Sequence, residues 1–474
     1  MIFGAFMSVR KMPDSWKEAI VTPIFKKGST SDPQNYRPIS ITSVFCKVME
    51  RIIVDKITTH LTEHKIITES QHGFLRKLST CTNLLESLND WTLLLEGGSR
   101  VAVAYVDFSR AFDSVTHAKL LHKLKSYGIS GELLDFISYF LADRSHCTKV
   151  GNSYSSSTKI RSGIVQGSCL GPLLFVLFIN DITRNLNIET TAKLFADDIK
   201  VYAKINTEQD AINFQKSLDI IYKWSKDWQL EISLHKCFII LLGTHSQRYC
   251  FNSFSFKLGD FIIQHKSTVR DLGVEVDEKL SFSNHVSNIV MNASQRSHLI
   301  LRSFTSKNPA SLIRAFKIYV RPLLEYNSQV WSPITMKDIT SIEKVQKQFT
   351  KRIPGCKTLT YYQRLKKFNL ESLELRRLRA DLKFTYKLIF NKTAADYTQF
   401  FTIQTPTDRQ LRSHSYQIRP TQRVRTNRSN HCLFYRIATI WNTLPPSTNF
   451  TSLTTFTNSI PIDFLIRFCK FNFG

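Results

Sequence analysis

Acidic residues are scarce in this 474-residue chain: 38 Asp and Glu stand against 64 Lys and Arg, a formal charge of +26. That balance is extreme for an ordinary soluble enzyme and points to a polyanionic partner, nucleic acid before all others. Long apolar runs are missing as well. The longest, Leu170–Ile179, is too short to span a bilayer, so no membrane partner is expected. The first residues, Met1-Ile-Phe-Gly-Ala-Phe, lack the basic start and cleavage site of a secretory signal. Nine cysteines are scattered without a Cys-x-x-Cys pair or a Cys/His zinc spacing. Their odd number and the missing secretory context read as reduced, mostly buried thiols in an intracellular protein, with nucleus and cytoplasm both open. No internal repeat is present.

What the chain does have is concentrated in Phe195-Ala-Asp-Asp-Ile-Lys200. These residues lie between two short alternating runs, Thr191–Phe195 and Ile199–Ala203, which predicts a β-hairpin with two carboxylates at its tip. A polar tip alone would be ordinary turn chemistry. Upstream, however, Arg100-Val-Ala-Val-Ala-Tyr-Val-Asp107 is a continuous apolar run, suited to a strand covered on both faces, and it ends on a third carboxylate. Three carboxylates brought together repel one another unless cations neutralise them. Hard divalent ions, Mg²⁺ above all, suit such oxygen ligands, and two ions about 4 Å apart are the usual device for phosphoryl transfer.

Around this core the pattern predicts a strand ending on Lys26-Lys27-Gly28 and a polar loop to Arg37. A helix follows from Ile41 to Leu61, with Val44, Val48, Ile52 and Ile57 on one face. Further helices are expected at Ser79–Leu95, stopped by Gly97-Gly98, then at His117–Tyr127, Gly131–Leu141 and Ala211–Trp228. Lys149–Ile160 reads as a strand pair with a serine-rich turn, and Ser162–Pro172 as a glycine-punctuated loop opening an apolar helix. Two short strands are expected within Leu230–Leu242, and a strand-like stretch at Arg270–Val276. Beyond Asp277 the chain turns helical and basic to Asn391. Thr405–Asn430 is rich in arginine, either an extended nucleic-acid contact or a linker, and Leu433–Phe473 is apolar enough to fold back.

The ordered set Asn35-Tyr-Arg-Pro-Ile-Ser40, Gln71-His-Gly-Phe74, Asp107-Phe-Ser-Arg-Ala-Phe-Asp113, Gly163-Ile-Val-Gln-Gly-Ser168 and Phe195-Ala-Asp-Asp198 resembles reverse transcriptases of non-LTR, LINE-like retrotransposons. Arg270-Asp-Leu-Gly273 is similar to the segment that ends the palm in that family. Arg321-Pro-Leu-Leu-Glu-Tyr326, Val330-Trp331 and Ile342-Glu-Lys-Val-Gln346 are similar to its thumb, and Ile440-Trp-Asn-Thr-Leu-Pro445 to the C-terminal stretch of jockey-like members. The resemblance implies an α+β right-hand polymerase with fingers, a ferredoxin-like palm, a helical thumb and a basic C-terminal region. It divides the chain at 1–276, 277–391 and 392–474. Full elements of this kind carry an endonuclease before the polymerase, which the resemblance leads us to expect is absent here. No ribonuclease H region or zinc knuckle is expected in the tail.

The resemblance further implies RNA template, DNA primer and dNTPs as partners, with a primer at a nicked chromosomal site, and two Mg²⁺ ions, Mn²⁺ substituting. Asp107, Asp197 and Asp198 would hold the ions, with the main-chain carbonyl of Phe108. Phe112 would contact the sugar and exclude a 2′-hydroxyl, while Gln166 and Gly167 would line the nucleotide pocket. Lys26 (or Lys27) and Arg37 would offset triphosphate charge. Lys236 would protonate pyrophosphate, although Ser233 stands where the family usually has asparagine. Asp113 is expected to cap or pack rather than to ligate. The basic helices beyond Asp277 would track phosphates, with a strong salt dependence. The competing reading is a nucleic-acid-binding relic of such an element without turnover, against which the intact Asp107, Asp197, Asp198 and Gln166 argue.

Overall fold

The structure is a computed structural model that describes all residues except 1–3, 5, 7, 244–253, 405–413, 422–430 and 472–474. The chain forms two units, one of Met1–Leu75, Val103–Ile239 and Tyr249–His265, the other of Arg76–Ala102, Ile240–Arg248 and Lys266–Gly474. Helices mix with sheets containing both parallel and antiparallel pairs, which is the α+β class expected.

Two sheets are built on β1 (Glu18–Phe25), β2 (Tyr36–Ile41), β3 (Val101–Val106), β4 (Ser145–Val150), β5 (Thr191–Phe195), β6 (Asp198–Lys204), β7 (Phe238–Leu242) and β8 (Gln264–His265), of which β3 and β7 are each divided between the two units. β1 pairs antiparallel with β2, Ile24 opposite Arg37, and parallel with β4 on its other side. The second sheet runs β8-β7-β3-β6-β5. Its central strand β3 is buried at every position except the half-buried Tyr105, as a run of Val and Ala covered on both faces must be. The helix Gly171–Ile179, apolar all round, is buried along its whole length, and Pro172 sits in its first turn, where its missing N–H costs nothing. The helices His117–Ser126 and Gly131–Leu141 form where their apolar spacing put them.

Two local expectations change. The helix Val44–Glu63 buries Cys46, Met49, Glu50, Ile53, Ile57 and Leu61, whereas Val44, Val48 and Ile52 are exposed. Apolar residues occur on both sides of this helix, so its period admitted either face, and the buried arc contains a carboxylate that periodicity counts as polar. In the second unit Arg270–Val276 is not one strand but a hairpin, Thr268–Asp271 with Val274–Asp277, turning on Leu272 and Gly273 at φ 44° and 90°. Two consecutive positive φ values are the two-residue turn that matches strand twist.

The rest of the second unit is mainly helical, including Ser283–Ser303, Met336–Lys351 and Leu373–Ile389. Glu343 is fully buried there and takes the main-chain N–H groups of Leu373 and Glu374 at the start of the last of these helices. Most of Thr405–Asn430 lies outside the described residues; Gln417–Pro420 is a strand paired with Phe401–Gln404. Arg436, on the helix Leu433–Asn442, makes a two-pronged ion pair with buried Asp381 at 2.9 and 3.0 Å. That pair ties the C-terminal segment to the helix Leu373–Ile389, across the boundary expected at 391/392. Among the described residues no helix is long and apolar enough to cross a membrane.

Candidate active site

Asp107 follows the last residue of β3, so the most buried strand of the sheet delivers its carboxylate to the strand end. Next to it, Phe108 and Ile232 form an isolated antiparallel bridge in which Ser109 N–H donates to Glu231 and Ser233 N–H donates to the Asp107 carbonyl, both at 2.8 Å. This register runs the ladder through the carbonyls of Asp107 and Glu231 and leaves that of Phe108 outside it. Docked in this way, the 3₁₀ turn Leu234–Lys236 brings the Lys236 ammonium to 3.1 Å from Asp107 Oδ1. Both side chains are more than one-third exposed, so the pair is worth little as stability and more as placement. Only one of the two strands expected within Leu230–Leu242 forms, as β7; Ser233–Lys236 is this turn.

The hairpin β5–β6 forms as the alternation predicts, with Phe195 opposite Asp198 and a two-residue turn of Ala196 and Asp197. Asp197 is half-buried. Burial first, and the charge of Asp107 with it, push its carboxyl above the ordinary range, while its own main-chain N–H, Lys26 and Arg37 pull it back. Asp107, Asp197, Lys26 and Arg37 therefore share one electrostatic neighbourhood, although Lys26 and Arg37 are exposed on the β1–β2 hairpin. Asp198 is exposed at the start of β6. Among the described residues no three His, Cys, Asp or Glu side chains close into a group able to hold one ion. Asp107 and Asp197 supply hard carboxylate oxygens, with the Lys236 ammonium against the first. That chemistry fits a hard divalent cation.

The residues expected to line a nucleotide pocket are held by main-chain and side-chain contacts. Ser40 at the end of β2 donates to the Gln166 carbonyl at 2.7 Å. Gly167, at φ 115°, lies so close that a Cβ there would sit 2.3 Å from the Ser40 carbonyl oxygen. The glycine's close approach is thus to the strand that bears Arg37. Gln166 Nε2 donates to Asp113 Oδ1 at 2.8 Å. Asp113 caps nothing, since Thr116 precedes the helix His117–Ser126; it orients the Gln166 amide instead. The Phe112 ring stacks on Phe175 with centroids 4.4 Å apart and meets the exposed Phe74 ring edge-on at 6.1 Å.

Two residues of this site went unassigned by sequence reasoning. Gln71 was seen only as part of a motif. Glu50 stood in an apolar helix, where a lone acid amid Val, Met and Ile was the available signal. Glu50 is 2% exposed, and its Oε2 accepts from the N–H groups of Cys169 and Leu170, which lead into the helix Gly171–Ile179. Its Oε1 accepts from the Cys46 thiol, which burial and then the Glu50 charge push up to about 12. Glu50→Ala is expected to lower unfolding free energy by about 1–3 kcal/mol for each N–H left bare, read as a shift in the denaturant midpoint. An unchanged midpoint would show that water replaces the carboxylate.

Residues 24–276, more than half of the chain, match the family model described as reverse transcriptase (RNA-dependent DNA polymerase). The RNA-directed DNA polymerase from mobile element jockey of Drosophila melanogaster is 28% identical over 366 residues, which cover 75% of this chain and 39% of that protein. The jockey polymerase of Drosophila funebris gives the same identity and coverage. This chain thus spans about two-fifths of the length of these relatives. Among solved structures, apo telomerase from Candida tropicalis aligns with a TM-score of 0.46 at 9% identity, covering 81% of this chain and 63% of that one, too loose a likeness to bear on the fold. With the motifs in order and the family model matching residues 24–276, the chain belongs to the reverse transcriptase family.

Proposed function

We propose that this chain is an RNA-directed DNA polymerase that extends a primer 3′-hydroxyl with dNTPs on an RNA template by two-metal phosphoryl transfer. The observation that supports the reading is a reverse transcriptase match over residues 24–276 in which Asp107 ends the buried strand β3 against Lys236 at 3.1 Å and Asp197 occupies the turn of the hairpin β5–β6. Asp107 and Asp197 would hold Mg²⁺, or Mn²⁺ in its place, with Asp198 and the Phe108 carbonyl completing the oxygen donors. When bound, such ions lower the pKa of the 3′-hydroxyl and neutralise charge on the phosphates. Lys26 and Arg37 balance the triphosphate charge, and the Gln166 amide, held by Asp113, meets the incoming nucleotide. The new bond joins the primer O3′ to the α-phosphorus as the bond to pyrophosphate breaks. The hydroxyl proton passes to solvent water, and the Lys236 ammonium gives a proton to the leaving pyrophosphate and is reprotonated from solvent. The excess of basic residues supports phosphate tracking along template and primer.

Extension of oligo(dT) on poly(rA) with dTTP and Mg²⁺ tests the reading. Extension by the wild type that disappears in Asp197→Ala is the expected result. A wild type that binds the duplex yet adds no nucleotide, with Mg²⁺ or Mn²⁺, would overturn it in favour of an inactive binding protein.

A further inference from the structure

The segment Ser70–Phe74 runs beside the end of β5 and touches the Asp197 turn more closely than any catalytic requirement explains. Leu194 N–H donates to the Ser70 carbonyl at 2.8 Å, and His72 N–H donates to the Leu194 carbonyl at 2.9 Å, which makes a parallel bridge between Gln71 and Leu194. From this rail the Gln71 side chain, 1% exposed, reaches the turn itself. Its Oε1 accepts from Ala196 N–H at 3.0 Å and from Gly73 N–H at 2.7 Å, and its Nε2 donates to the Ala196 carbonyl at 3.4 Å. One amide thus satisfies both main-chain polar groups of Ala196. That residue needs holding, for it sits at φ 57°, a left-handed conformation unfavourable for any residue with a Cβ. Gly73 completes the fit, since a Cβ there would lie 2.3 Å from the Ala196 nitrogen.

We infer that Gln71 is a positioning residue: it locks Ala196 in the left-handed conformation and so fixes the direction in which the next side chain, Asp197, leaves the turn. Gln71 touches neither substrate nor metal in this role. It acts by removing the alternative turn conformations in which the Asp197 carboxylate would point away from Asp107, and a carboxylate displaced by 1 Å is enough to weaken a metal site and slow the chemistry. The bland alternative is that Gln71 satisfies a buried turn and nothing more. The two readings differ in what a glycine at 196 does. Glycine adopts φ near 57° freely, so it removes the need for a lock, but it cannot refill the space or the hydrogen bonds that a missing Gln71 leaves.

The inference rests on the polymerase reading for its effect on rate, but not for its effect on metal affinity. The experiment therefore measures Mn²⁺ binding to the free protein, by the electron paramagnetic resonance signal of unbound Mn²⁺, beside primer extension. It compares wild type, Gln71→Leu, Gln71→Glu, Ala196→Gly and Gln71→Leu/Ala196→Gly. Gln71→Glu serves if the leucine variant does not fold, because it keeps size and acceptor while it loses the donor to the Ala196 carbonyl and adds a buried negative charge. Expected are a Mn²⁺ affinity and a kcat each about tenfold lower in Gln71→Leu. Affinity for the template–primer duplex should be unchanged, and most of both losses recovered in the double variant. Wild-type Mn²⁺ affinity in Gln71→Leu, or losses that Ala196→Gly does not rescue, would overturn the inference. A wild type that binds Mn²⁺ but fails to extend primer would remove the proposed function and leave this inference to be decided by the affinities.

Discussion

Asp197→Asn is expected to cut primer extension at least about 10³-fold while making the metal-free protein harder to unfold. The loss of activity follows from the loss of a negative oxygen ligand at the turn. The gain in stability follows from the cost of holding that charge. Burial, with Asp107 behind it, raises the folded-state pKa of Asp197 above its unfolded value. A carboxyl shifted upward contributes stability that is fully present below its ordinary pKa and is lost as pH rises through the raised value. At neutral pH the charged form is therefore a net burden on the fold, offset only in part by Lys26 and Arg37. Asparagine keeps the shape and removes the charge. Thermal melts in EDTA should place the variant higher, by roughly 2–4 °C for each kcal/mol relieved, with the difference shrinking as buffer pH is lowered toward the carboxylate range. Saturating Mg²⁺ should raise the wild-type midpoint and leave that of the variant where it was. A variant that melts below the wild type in EDTA would mean that Asp197 is stabilised in its charged form, contrary to the burial that dominates its surroundings.

How much of this was legible beforehand depended on the distance along the chain to each residue's partner. The strand ending on Asp107, the hairpin carrying Asp197 and the helices bounded by glycine or by a capping residue are local patterns, and the structure returns them nearly residue for residue. The family motifs added the fingertip and pocket residues. The supports of the site were not legible, because each joins positions far apart. Glu50 meets Cys169 across 119 residues, Gln71 meets Ala196 across 125, and Lys236 meets Asp107 across 129. No local period encodes such a partner. Asp113 shows the same limit over 53 residues: in isolation it looked like a helix cap, and only the fold reveals the Gln166 amide opposite it. The exposed face of Val44, Val48 and Ile52 misled for the converse reason, since hydrophobic spacing names candidate faces but the neighbour decides which is covered.

Phe112 carries the other large expected effect, in selectivity rather than in rate. Its ring is not free to adapt: it lies flat against Phe175, interplanar angle 14°, and Phe74 stands edge-on to it. Its carbonyl accepts from Ile164 N–H at 2.7 Å, which ties the same residue to the loop that bears Gln166. If Phe112 contacts the sugar as the family resemblance implies, a ring pinned from the side and through its main chain cannot swing away from a 2′-hydroxyl. Phe112→Val shortens the side chain and should reduce discrimination between dNTP and rNTP, measured as the ratio of kcat/KM values, by about 10²-fold. The kcat/KM for the dNTP itself should fall less than about tenfold, because neither the carboxylates nor the Gln166–Asp113 contact is altered. Stability will drop as well, since the stacked pair with Phe175 is lost, and that drop is the whole effect expected of an ordinary core phenylalanine. The ratio separates the two roles: a destabilised variant that still rejects ribonucleotides as the wild type does would make Phe112 packing only, whereas ribonucleotide incorporation at a retained dNTP rate would make its ring the barrier to the 2′-hydroxyl.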